Sequence, residues 1–101
     1  MDEIFRRQVF EVIRLIPSGR VTSYGAIAKA VGYPNLARHV GNSLRNYEEE
    51  FPAHRVCNST GTITGSCLAE FTQRLSSEGI KVQGNRIQDF RNIFWDPMEE
   101  L

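Results

Sequence analysis

Residues 21–44 read VTSYGAIAKAVGYPNLARHVGNSL, and this stretch decides the fold. Thr22 or Ser23 can cap a helix, because a short side-chain oxygen accepts from the N–H groups that a helix start leaves unpaired. In that helix Ile27, Ala28 and Val31 fall on one side, and Gly32 ends it. Gly32-Tyr33-Pro34-Asn35 then form a turn into a further helix with Leu36, Val40 and Leu44 on one face. Ala37 and Gly41 are small and four apart, so another element can approach closely there. Two short helices joined by a tight glycine-containing turn predict a helix-turn-helix. Its second member carries Arg38, His39, Asn42, Ser43 and Arg45, side chains suited to phosphates and base edges. The same spacing also serves plain helical packing, so a nucleic-acid role needs support from the rest of the chain.

Outward from this pair, Phe5, Val9, Val12, Ile13 and Ile16 recur at helical spacing between Asp2 and Ile16, and Pro17-Ser18-Gly19 stops that helix. On the other side, residues 47–52 read as an acidic loop. Arg55-Val56-Cys57 and Thr62-Ile63-Thr64, placed around Asn58-Ser59-Thr60-Gly61, predict a small hairpin. Leu68, Phe71 and Leu75 mark a fourth helix closed by Gly79, and Ile80-Lys81-Val82 suits a short strand. The tail, with Ile87, Phe90, Ile93, Phe94 and Trp95, is expected to pack on the core. With 101 residues and no repeat or linker, the chain predicts one domain over residues 1–101, mostly α with a small β hairpin.

Composition excludes several classes. No apolar run approaches the roughly 20 residues that span a bilayer, and the acidic start Met1-Asp2-Glu3 is unlike a secretory signal. A cytoplasmic protein is the expectation. Cys57 and Cys67 are too few for a disulfide framework and have no partners at zinc spacing, so free thiols and no metal are expected. The net charge of zero hides an asymmetry. Residues 1–47 carry seven Lys/Arg against three acids, and residues 48–101 carry five against nine. A polyanion would prefer the first part, while unspecific DNA binding stays weak because few phosphates can be neutralised.

The chemistry concentrates in Pro52-Ala53-His54-Arg55-Val56. This segment resembles the Pro-Cys-His-Arg-Val motif of the O6-alkylguanine-DNA alkyltransferases, with Ala53 where that family has its acceptor cysteine. Further stretches resemble the family in the same order. Residues 21–28 match its first DNA-binding helix, residues 37–42 with Asn46 its recognition helix and asparagine turn, and Ser76-Ser77-Glu78-Gly79 the helix end that supplies a glutamate. The best resemblance is to the alkyltransferase-like proteins, which consist of this C-terminal-type domain alone and replace the cysteine. It implies a winged-helix-like helix-turn-helix domain that binds O6-alkylguanine in duplex DNA without repairing it.

In the enzymes, the resemblance implies, a thiolate activated through a His–water–Glu relay takes the alkyl group; the matching relay residues are His54 and Glu78. Ala53 offers neither a lone pair nor an ionisable proton. Cys57 lies four residues on, roughly 13 Å away along an extended strand, and suits a buried apolar filler. What remains is binding. Reaching O6 requires flipping the base, at a few kcal/mol of lost stacking and pairing. Alkylation weakens the pair to cytosine, and a buried methylene contributes about 0.8 kcal/mol. DNA contact is expected from Tyr24, Arg38, Asn42, Ser43 and Arg45, and the resemblance implies that Arg38 enters the base stack and Tyr24 crowds the phosphate. It assigns the lesion pocket to Tyr24, Asn46, Ala53, Val56 and Ser66. Ser66 stands where many relatives have an arginine, so the pocket is expected to be roomy. No cofactor is implied. A monomer is expected on double-stranded DNA, marking alkylated guanine for nucleotide excision repair. Two other classes stay open: an enzyme (a residual alkyltransferase using Cys57, or a cysteine-to-alanine variant of one) and a helix-turn-helix transcription regulator.

Overall fold

The computed structural model describes residues 3–44, 52–64 and 67–100. Helix α1 (Glu3–Arg14) buries Phe5, Val9, Val12 and Ile13 on one face, as their spacing requires. A short strand β1 (Thr22–Ser23) leads directly into α2 (Tyr24–Ala30). Ser23 resolves the choice of cap, since its Oγ accepts from the Ala26 N–H at 3.1 Å. Gly32 and Tyr33 close α2 with N–H bonds to the carbonyls of Lys29 and Ala28, and α3 (Ala37–Ser43) follows across the turn. Helices α1, α2 and α3 share one core, in which Ile27, Ala28 and Val40 are fully buried and Leu36 and Leu44 pack at the edge.

The β structure differs from the sequence expectation. After a 3-10 turn (Ala53–Arg55), strand β2 (Val56–Cys57) does not fold back on residues 62–64. It pairs in parallel with β1, placing Thr22 opposite Val56 and Ser23 opposite Cys57. Alternation along β2 sends Val56 into the helical core and Cys57 into a second core with Val21, Ile63, Leu75, Ile80 and Ile87. The hairpin lies further on, between β3 (Val82–Gln83) and β4 (Arg86–Ile87). Its two-residue loop is Gly84-Asn85, with Gly84 at φ 63, and a glycine in the first loop position is what such a hairpin favours. Local turn chemistry around Asn58–Gly61 is real, with Asn58 N–H bonded to the Thr62 carbonyl. Pairing across the chain to β1 wins because it buries both faces of β2.

Helix α4 (Leu68–Ser77) ends before Gly79 and buries Leu75, while the partly buried Phe71 packs against both cores. The tail forms two short helices, α5 (Phe90–Ile93) and α6 (Pro97–Glu100), and brings Trp95 into the helical core at 3% exposure. It is clasped to the start of β1. Trp95 N–H bonds the Val21 carbonyl, and the Arg20 guanidinium reaches the carbonyls of Ile93 and Phe94 and the Glu100 carboxylate.

Candidate nucleic-acid interface

The α2–turn–α3 unit presents α3 outward. Val40 points into the core, so the helical period leaves Arg38, His39 and Asn42 exposed. Among the described residues their side chains enter no hydrogen bond or ion pair, and they are available to a ligand. Ser43 departs from the expectation. It is buried, and its hydroxyl donates to the His39 carbonyl at 2.8 Å, one turn back on its own helix. The expected contributions of Arg45, Asn46 and Ser66, and the acidic loop, lie outside the described residues.

Tyr24 stands at the first position of α2, where its ring packs on the α3 backbone. A Cβ built on Gly41 would sit 3.9 Å from the ring, so the approach is ordinary contact rather than one that only glycine permits. The Tyr24 hydroxyl hydrogen-bonds the Thr64 hydroxyl at 3.0 Å and ties α2 to the segment after β2. The sequence reading assigned Thr64 no role, and no local signal pairs it with a residue forty positions earlier.

Behind this surface lies the 3-10 turn. Ala53 is 5% exposed and His54 7%. His54 Nε2 meets Glu78 Oε2 at 2.6 Å. Glu78 also accepts from Arg55 Nε and Nη2 at 2.9–3.1 Å and from the Gly19 N–H at 3.0 Å. Arg55 Nη1 reaches on to the Ile16 carbonyl at 2.9 Å. One carboxylate therefore joins the α4 end, the turn after α1 and the turn that holds Ala53. Arg55 was legible in the motif but had no role assigned from sequence; it proves to be the anchor.

Electrostatics fixes the protonation states. Burial pushes the Glu78 carboxyl upward, but the combined hydrogen bonds of Arg55, Gly19 and His54 outweigh it and hold the group down at about 2. Burial lowers the His54 imidazole below its usual value, against the pull of Glu78 in the other direction. With His54 neutral, Arg55 is the cation that keeps Glu78 ionised. The ionised carboxylate accepts from Nε2–H, so Nδ1 is left with a lone pair. It is buried with no hydrogen-bond partner. Cys57 is fully buried, its thiol points at the Thr22 carbonyl, and burial pushes it up to about 12. Cys67 is exposed at the start of α4. Among the described residues no group of His, Cys, Asp and Glu is placed to hold a metal ion.

A helix-turn-helix whose second helix exposes Arg38, His39 and Asn42, unpaired among the described residues and set beside a buried His54–Glu78 pair, defines a domain of the alkyltransferase type. The family described as 6-O-methylguanine DNA methyltransferase, DNA binding domain, matches residues 4–80. A DNA base-flipping protein of Vibrio parahaemolyticus is 45% identical over 101 residues, covering 96% of this chain and 100% of its own length. Alkyltransferase-like protein 1 of Schizosaccharomyces pombe is 34% identical, covering 96% of this chain and 98% of its own. The crystal structure of that yeast protein with damaged DNA containing O6-carboxymethylguanine superposes with a TM-score of 0.83 over 94% of this chain and 97% of that one, at 31% identity. A methylated-DNA–protein-cysteine methyltransferase of Salmonella typhimurium is 41% identical over 63 residues, 60% of this chain and 37% of its own length. The chain belongs to this family, among its alkyltransferase-like members.

Proposed function

We propose that the chain binds O6-alkylguanine in duplex DNA by docking α3 in the minor groove and flipping the base, and that it transfers no alkyl group. The observation that carries this reading is the buried methyl of Ala53 at the head of an intact His54–Glu78 pair. The pair that would activate a thiol is present, and the atom that would receive the alkyl group is not. Burial withdraws Cys57 as an acceptor, and the exposed Cys67 takes no part in the hydrogen bonds of the His54–Glu78 pair. The relatives named for base flipping, and the yeast structure holding a carboxymethyl adduct, support a binding role and a pocket that takes more than a methyl group. In the finer reading, Arg38 fills the stack left by the flipped base, Tyr24 crowds the phosphate, and the bound complex marks the lesion for nucleotide excision repair.

Fluorescence anisotropy on two otherwise identical duplexes, one with O6-methylguanine and one with guanine, tests the reading at matched salt. Binding to the lesion about tenfold tighter, or 1.4 kcal/mol, with the methyl group still on the DNA afterwards, is the expected result. Equal affinity for the two duplexes overturns lesion recognition. Methyl label recovered on the protein overturns the absence of transfer. For the downstream step, the chain is expected to stimulate lesion-dependent incision by a reconstituted excision nuclease; no stimulation would sink that part alone.

A further inference from the structure

The acidic C-terminal part of the chain contains a basic island. Residues 80–95 carry Lys81, Arg86 and Arg91 against Asp89 alone, although residues 48–101 as a whole have nine acids and five bases. Arg86 and Arg91 line a groove of about 860 Å³ between the β3–β4 hairpin, α5 and the Ser59–Thr60 turn. Both are exposed, and among the described residues neither enters an ion pair. The lining holds one acid, Asp89, so its side chains keep one net positive charge. Asp89, held at φ 59, takes the Asn92 side-chain amide at 2.5 Å on its own helix.

The walls are rigid. Asn58 Oδ1 accepts from Thr60 N–H, Thr60 Oγ1 and Thr62 N–H and locks one rim. A Cβ at Gly61 would fall 2.9 Å from Phe90 Cγ, so glycine is needed there for α5 to pack against that rim. The chain beside the groove is linked to α2 through residues 62 and 64. Arg86 bridges Thr62, and Thr64 holds the Tyr24 hydroxyl; residues two apart on an extended segment are about 7 Å apart. The groove residues from Gln83 to Asn92 all lie beyond residue 80, where the family match ends.

We propose that this groove is a second phosphate-binding site, in which Arg86 and Arg91 grip the DNA backbone beyond the reach of α3. The assignment rests on the reading of the chain as a duplex-DNA binder. Guanidinium pairs suit phosphate because their planar donors match its oxygens. Such contacts position the protein and do not read the base, so they act equally on damaged and undamaged duplex.

The test measures affinity against salt concentration for the lesion and guanine duplexes, using wild type, Arg86→Gln with Arg91→Gln, and Arg86→Lys with Arg91→Lys. In the glutamine pair, the slope of log K on log salt is expected to become shallower by about 1.8, for two phosphates no longer neutralised. Both Kd values should rise by the same factor, on the order of tenfold, and the lysine pair should keep the wild-type slope. If the glutamine pair lowers Tm, Arg91→Gln on the exposed face of α5 carries the test alone, with a slope change of about 0.9. An unchanged slope with wild-type binding intact overturns the groove and leaves the DNA-binding reading standing. Weaker binding to the lesion duplex only also overturns it, since phosphate contacts cannot discriminate. A wild-type chain that binds neither duplex overturns the DNA-binding reading and the groove with it.

Discussion

On α3, Arg38, His39 and Asn42 are exposed and their side chains bond to nothing among the described residues. A few residues further along the chain, His54 and Arg55 are sequestered around Glu78, whose two oxygens receive the His54 ring, the Arg55 fork and a backbone N–H. The first region is polar and without protein partners among the described residues, a state that exposure to water permits until a ligand arrives. The second is polar and saturated because buried charge is tolerated only when paired. The difference separates a polar surface open to a ligand from a polar joint that holds the fold together. His54, Arg55 and Glu78 form a structural joint between the turn after α1, the end of α4 and the Ala53 turn, while the exposed face of α3 takes no part in it.

The sharpest way to break the comparison is to remove the joint. Glu78→Ala leaves Arg55 and the Gly19 N–H without their acceptor, and stability should fall by about 3 kcal/mol, a Tm decrease of roughly 12–24 °C. Affinity for the lesion duplex, measured well below the new Tm, should change less than about threefold, within the effect of a residue remote from the ligand. Loss of binding without loss of stability would show that the cluster belongs to the interface after all. Arg38→Ala reverses the pattern. Stability should stay within about 0.5 kcal/mol, while affinity falls by about 30-fold, the effect of an arginine hot spot.

Acid should separate the two regions again. Both shifted groups of the joint have folded values below their unfolded ones, so each stabilises the fold fully above its unfolded value and loses that contribution as pH falls. His54 acts first, below its ordinary value of 6.5, and Glu78 follows from 4.5 down to about 2. Thermal unfolding across this range should show declining Tm in the wild type, and Glu78→Gln should flatten the lower step. The smallest expected signal is chemical. A thiol reagent at pH 8 should label one cysteine per native chain, Cys67, because Cys57 is fully buried with its thiol pushed up to about 12. Two labels on the native protein would contradict the burial of Cys57.

How far the sequence carried depends on the range over which each feature is decided. The caps, the two glycine-ended helices and the buried stripe of α1 were readable because helical period and capping are local. The hairpin was misplaced although Gly84-Asn85 is a recognised two-residue loop, because Asn58–Gly61 offered a competing turn signal nearer the motif. The parallel pairing of β1 with β2 joins residues thirty-four apart, and no local pattern specifies it. At the site, the Pro52–Val56 motif singled out the segment but not its 3-10 turn, nor that Ser43 faces inward.

By itself, then, the sequence determined the helix-turn-helix, the motif and the absence of an acceptor at position 53, since each is written in contiguous residues. Only the tertiary structure decided that Glu78 is held by Arg55 and Gly19 as well as His54, that Tyr24 meets Thr64, and that Arg86 and Arg91 border one groove. Those contacts join segments remote in the chain, and they exist only where packing of the two cores brings the segments together.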